Sequence, residues 1–251
     1  MSFGLNDFTP SEGNYISKIL LPGSHTCKIL DLRLEKTAYD AEQFNLVFML
    51  EGPELGEDFV GININRLDPT KGTHKGQVAT VKASAFAFKN WNWKGKDISR
   101  DETIKNFLGT FLAGVGLLEE FQALSVTATS IGELVEEVKS FICGKKDWTC
   151  AFTIAGQRYY KEGSDYPNYS LFLPKRAEGK LPYAASMSDP KFLPFNETIH
   201  ITERKVTDET SSEVEGFTPP PTEMFGTPMP ATAFTPASSN GTTGVNDLQL
   251  P

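Results

Sequence analysis

The stretch His25-Thr-Cys-Lys-Ile-Leu-Asp-Leu-Arg-Leu-Glu-Lys36, followed by Gln43-Phe-Asn-Leu-Val-Phe-Met-Leu-Glu51, decides the fold. In the first run Cys27, Ile29, Leu30, Leu32 and Leu34 nearly alternate with Lys28, Asp31, Arg33 and Glu35. In the second, Phe44, Leu46, Phe48 and Leu50 share one side. A period of two marks strands with one face in a core. Gly52-Pro-Glu-Leu-Gly56 is a turn, and residues 59–64 alternate again, with Val60, Ile62 and Ile64 on one side. These residues predict an opening antiparallel meander of three strands.

Outward from the meander the period changes. Val78, Val81, Ala85 and Phe88 recur at spacings of three and four, which predicts a helix over 75–91. Ser99-Arg-Asp-Glu102 and Ser130-Ile-Gly-Glu133 are capping boxes, in which a serine hydroxyl satisfies a free N–H of the first turn. They open helices running to Leu118 and to Gly144. Strands then return at 148–160 and 169–174, joined by Lys161-Glu-Gly-Ser-Asp-Tyr-Pro167, and a last short strand is expected at 198–202. Three strands, a helical block and two or three more strands is the element order of an OB barrel. The expected fold is therefore mainly β with a helical insertion (α+β). It is an OB-like five-stranded barrel with its helices between strands 3 and 4.

The ends of the chain have a different composition. Residues 1–22 read as an N-terminal arm, 23–205 as the OB-like domain with its helical insertion at about 75–144, and 206–251 as a disordered Pro/Thr-rich acidic tail. The tail holds seven prolines and no basic residue, and too few apolar residues to offset its ordering entropy. It repeats Phe217-Thr-Pro219, Phe225-Gly-Thr-Pro228 and Phe234-Thr-Pro236, with Phe8-Thr-Pro10 in the arm.

The net charge of -8 in 251 residues speaks against a nucleic-acid partner until its distribution is read. Six acids, Asp208, Glu209, Glu213, Glu215, Glu223 and Asp247, lie in the tail, so the body balances 24 basic against 26 acidic residues. Residues 66–100 carry eight Lys or Arg against Asp68 and Asp97, a local +6. Cys27, Cys143 and Cys150 are odd in number and lack metal-ligand spacing, which fits reduced thiols of a cytoplasmic protein. No secretory signal pattern and no run near the ~18 apolar residues of a membrane span is seen, so no membrane partner is expected. Phosphate-loop, nucleophile-elbow and zinc-protease signatures are absent, and His25, His74 and His200 are scattered. The expectation is a protein without catalytic residues, metal or cofactor.

The positive signal is basic residues interleaved with aromatics: Lys82, Phe86, Lys89, Trp91, Trp93, Lys94 and Lys96. A single strand needs both groups, because cations neutralise phosphates and flat rings stack on unpaired bases. Phe86 and Phe88 fit a core face as well as a site, and Asn90-Trp-Asn-Trp-Lys-Gly95 reads as a turn that leaves at least one tryptophan exposed. A second cluster joins Arg158, Tyr160, Lys161, Tyr169, Lys175 and Arg176, with Tyr159, Tyr166 and Lys180 nearby.

In the order of its strands and helices the chain resembles phage single-stranded DNA-binding proteins of the OB-fold type. The resemblance covers roughly residues 24–176. It rests on the strands at 25–34 and 44–50, the Leu/Gly-rich helix 107–118, the helix ending at Gly144-Lys-Lys, and the aromatic pair Arg158-Tyr-Tyr-Lys161 and Tyr169-Ser-Leu-Phe-Leu173. It implies that the barrel binds and protects single-stranded DNA during phage replication or recombination. It also implies a tail that recruits replication or recombination proteins, and a location in the host cytoplasm. The end of this chain, Asn246-Asp-Leu-Gln-Leu-Pro251, departs from the family's dense acidic tip. The competing expectation is a structural or interaction protein, such as a virion component, that uses the barrel as scaffold and the Phe-Thr-Pro repeats as docking motifs.

Overall fold

A computed structural model describes residues 17–56, 59, 74–163 and 165–204. The two long alternating runs are strands β1 (Gly23–Lys36) and β2 (Phe44–Glu54), paired antiparallel with Leu32 opposite Phe48. The one break in the alternation of β1 has a structural cause. Leu30 is a bulge between Ile29, which faces Leu50, and Asp31, which faces Met49.

The described strand that pairs with the free side of β2 lies in the segment expected to be helical. Residues 60–64 lie outside the described residues, and the segment expected to be helical opens instead with β3 (Gly76–Lys82). Val78 and Val81 fit a helical spacing, but Ala79, Val81 and Ala83 are the inward set of a strand. The β-branched Val78, Thr80 and Val81 favour that state. Pairing with β2, Val81 opposite Phe48, supplies what local spacing could not show. Gly76 permits the close approach: a Cβ there would lie 2.4 Å from the Gly52 carbonyl oxygen.

After β3 come β4 (Trp91–Trp93) and β5 (Lys96–Ile98), which form their own two-stranded sheet, and then α1 (Arg100–Gly114), α2 (Leu118–Ala123) and α3 (Ile131–Cys143). Both expected caps are present: the Ser99 hydroxyl accepts from the Glu102 N–H and the Ser130 hydroxyl from the Glu133 N–H. The insertion therefore spans 83–149, begins after β3 rather than at about 75, and leads with a β-ribbon. Strands β6 (Cys150–Tyr160) and β7 (Pro167–Phe172) follow, then β8 (Tyr183–Ala184), a single helical turn α4 (Glu197–His200) and β9 (Ile201–Glu203). The strand expected at 198–202 is thus a turn leading into β9, which lies parallel to β6.

Sheet order β1-β2-β3-β7-β6, with β6 returning to β1 (Cys27 opposite Cys150), closes a five-stranded barrel. Its β3–β7 pair is parallel and registered at Lys82 opposite Phe172, and its other pairs are antiparallel. With the helices between its third and fourth strands, this is the OB topology. Where β3 and β7 diverge, Ile19 bridges Val78 and the Leu20 N–H bonds the Val78 carbonyl at 3.2 Å.

Inside, Phe48 of β2 lies 5.3 Å from Phe111 of α1 and 5.9 Å from Phe152 of β6. Phe111 also meets Tyr183 at 5.1 Å. Ile104, Leu108 and Leu112 complete the buried face of α1, which closes the barrel end nearest Phe88 and Phe107. Burying rings of this size dominates core energetics. Chain contacts divide into Met1–Lys205 and Val206–Pro251. The expectations for the arm up to residue 16 and for the tail and its repeats lie outside the described residues.

Candidate nucleic-acid interface

Topology sorts the expected site residues into two groups. Because β3 and β7 run parallel, the segments that follow them leave from one end of the barrel, where β2 also begins. Lys82, Phe86, Lys89, Trp91, Trp93, Lys94, Lys96, Lys175 and Arg176 belong to that end. Arg158, Tyr160, Lys161 and Tyr169 belong to the opposite end, where β6 passes into β7.

The first group centres on the β4–β5 ribbon. Its two-residue turn, Lys94-Gly95, has φ of 51° and 81°, the left-handed pair that a tight hairpin requires. Trp91 faces Ile98, Asn92 faces Asp97 and Trp93 faces Lys96. By strand alternation Trp91, Trp93, Lys96 and Ile98 share one face. On the other, the Asn92 amide bonds Asp97 at 2.7 Å. Trp93 is 42% exposed, and the Lys94 ammonium sits 4.7 Å from its ring centre. Lys89, Lys94 and Lys96 are exposed, Lys82, Phe86 and Trp91 half-buried. Phe88 is core-packed, with its ring 6.2 Å from Phe107. Lys175 and Arg176 are exposed beyond β7.

The ribbon is rooted at the start of β2. Phe44 and Phe88 exchange backbone hydrogen bonds of 3.0 and 2.7 Å. Arg100 is one of the eight cations of residues 66–100, yet its guanidinium faces inward. It donates to the Glu42 carbonyl at 2.8 Å and to Asp101 at 2.7 Å, and lies 4.4 Å over the Phe44 ring.

At the far end Arg158 is ion-paired with Glu203, its register partner on β9. The hydrogen bond and charge of Glu203 raise the pKa of Arg158, and those of Arg158 lower that of Glu203. Tyr169 is half-buried against Gly156, whereas Tyr160 is 50% exposed and Lys161 is exposed. Tyr166, in the loop between β6 and β7, is 81% exposed. Sequence reasoning passed over Tyr39, 80% exposed in the loop 37–43 between β1 and β2. A lone aromatic in a polar loop between two strands was its only signal.

The outer face of β1–β2–β3 has another character. Its cross-strand rows are Asp31–Met49–Thr80, Arg33–Val47–Lys82 and Glu51–Val78, without an aromatic ring. Arg33 bridges Asp31 at 2.8 Å and Glu35 at 2.6 Å, and Lys139 of α3 reaches Asp31 at 3.3 Å. Burial pushes the Asp31 carboxyl up, but the hydrogen bonds and charges of Arg33 and Lys139 outweigh it and leave its pKa lowered.

The other reactive groups are dispersed. Cys27 and Cys150 face each other across β1 and β6, and burial pushes the Cys27 thiol up to about 12. His200 accepts the Asn196 N–H at its Nδ1, and burial lowers its pKa. Among the described residues no three His, Cys, Asp or Glu side chains gather as metal ligands would, and no helix is long and apolar enough to cross a membrane. No protein-family model, curated protein or solved structure matches the chain.

Proposed function

We propose that this chain binds single-stranded DNA by charge and stacking, without catalysis, and protects it during phage replication or recombination. The observation that carries this reading is the β4–β5 ribbon. Two tryptophans lie on one face of a hairpin outside the barrel sheet, with Lys94 and Lys96 beside them and Lys89 at its base. Core packing alone gives no reason to place a large ring on an exposed two-stranded ribbon. Stacking on bases gives one, at ~1–3 kcal/mol per base. Lysines at the ribbon and beyond β7 provide cations for the phosphates between stacked bases.

OB barrels commonly present single-strand sites on the second and third strands and on the loops around them. Here the aromatic and cationic groups flank that face rather than cover it. The strand is read as running over the ribbon and the 37–43 loop, at the end where β3 and β7 finish. The resemblance to phage single-stranded DNA-binding proteins supports the assignment to replication or recombination. The tail, acidic and without a cation, then serves to recruit other proteins of those processes.

The test is tryptophan fluorescence titrated with a poly-pyrimidine strand at two salt concentrations, with duplex as competitor. The reading expects quenching, preference for the single strand, and a log–log salt slope of about -0.7 per phosphate neutralised. A flat salt response or equal affinity for duplex overturns it.

A further inference from the structure

We infer that Arg100 is a positioning residue that holds the loop 37–43 and the tryptophan ribbon together as one stacking platform, with Tyr39 as its outlying ring. The inference rests on the single-strand reading above and adds a member and a mechanism to that site.

The loop is internally fixed. The Thr37 hydroxyl donates to the Asp40 carbonyl at 2.8 Å, the Asp40 carboxylate accepts from the Glu42 N–H at 2.8 Å and from the Gln43 amide at 3.0 Å, and the Thr37 N–H reaches the Gln43 carbonyl at 3.0 Å. Such a loop moves as a unit, and it holds Tyr39 in solvent. Arg100 then ties this unit to the ribbon. Its guanidinium donates to the Glu42 carbonyl and covers the Phe44 ring, while its backbone N–H donates to Asn90 Oδ1 at 2.8 Å, one residue before β4. One residue thus contacts the end of the loop, the first residue of β2 and the root of the ribbon. A planar, five-donor guanidinium suits this role, because it can stack and donate at once. Its side chain is only 15% exposed, so its charge faces protein rather than a phosphate path.

A phosphate contact and a positioning residue leave different signatures. We compare wild type, Arg100→Lys, Arg100→Ala, Tyr39→Ala and the Arg100→Ala/Tyr39→Ala pair, each titrated with poly-dT across a salt series. Thermal melting of each confirms folding, and Arg100→Lys is the variant that keeps charge and bulk if Arg100→Ala does not fold. The inference expects both Arg100 variants to bind about two- to tenfold more weakly, the range of one lost hydrogen bond. It expects an unchanged salt slope, and a Tyr39→Ala effect that shrinks once Arg100 is gone. A slope shallower by about 0.7 makes Arg100 a phosphate contact and overturns the inference. Unchanged affinity in both Arg100 variants, or additive losses in the double variant, overturns it too while leaving the single-strand reading standing. Wild-type protein that does not bind poly-dT overturns both.

Discussion

The interior of the barrel and the β4–β5 ribbon both display large aromatic rings, with opposite surroundings. Phe48, Phe111 and Phe152 are fully buried and meet one another at 5.3 to 6.1 Å. Trp93 is partly in water, and the ammonium of Lys94 lies 4.7 Å from its ring centre. The same residue class thus serves two ends. Inside, ring area removed from water holds the fold; outside, an uncovered face is available to a flat partner. If this division is real, stability and binding should separate under mutation.

Phe48→Ala should produce the largest effect, a loss of about 3–5 kcal/mol of stability through the cavity it opens. Urea unfolding measures it, and affinity per folded molecule should stay at the wild-type value. A loss under 1 kcal/mol would break the comparison on its interior side. Trp93→Ala should do the converse: binding weaker by ~1–3 kcal/mol in fluorescence or anisotropy titration, with a near wild-type melt. An early melt with unchanged affinity would make Trp93 a structural ring.

Asp31→Asn probes the outer face of β1–β2–β3, which belongs to neither region. It should cost about 1–3 kcal/mol at neutral pH, since charged hydrogen bonds to Arg33 and Lys139 are lost. The Asp31 carboxyl is held below its ordinary value of 3.8, so its contribution is fully present above that pH. It is lost as pH falls through the folded-state pKa. Wild type and variant should therefore converge in stability on acidification, and curves that stay parallel to pH 2 would contradict the assignment. The smallest expected effect is Ser130→Ala, about 1 kcal/mol from the lost cap of α3, with binding untouched. A change in affinity would bring α3 into the interface.

What could be read in the sequence was local. The alternation at 25–36 and 43–51 is a property of neighbouring residues, and so are the two capping boxes. Strand β3 was missed because Val78, Val81, Ala85 and Phe88 satisfy a helical period equally well, and only pairing with β2 and β7 decides between them. The tryptophan turn was recognised, but not as a ribbon, because three-residue strands carry too little alternation to announce themselves. Within the site, residue types identified the lysines and tryptophans. They could not separate Arg100 and Arg158, whose charges are held by Asp101 and Glu203, from lysines that face solvent. Nor could they bring Lys175 and Arg176 to the end that holds the ribbon, which depends on a parallel pairing ninety residues apart in the chain.

That parallel pairing has a consequence for how the ring breathes. Strands β1 and β2 are registered at eight residue pairs, β3 and β7 at one, with the chain around Ile19 and Leu20 standing in along the rest of the β3 edge. A closed ring of unequal joints opens at its weakest one. Amide protons along β3 that face this joint should exchange with solvent by local opening, while those between β1 and β2 wait for global unfolding. The one registered pair of this joint, Lys82 with Phe172, lies at the end that carries the ribbon. Transient opening of the barrel and the geometry of the stacking platform are thereby set at neighbouring places on one strand, β3, whose last residue is Lys82.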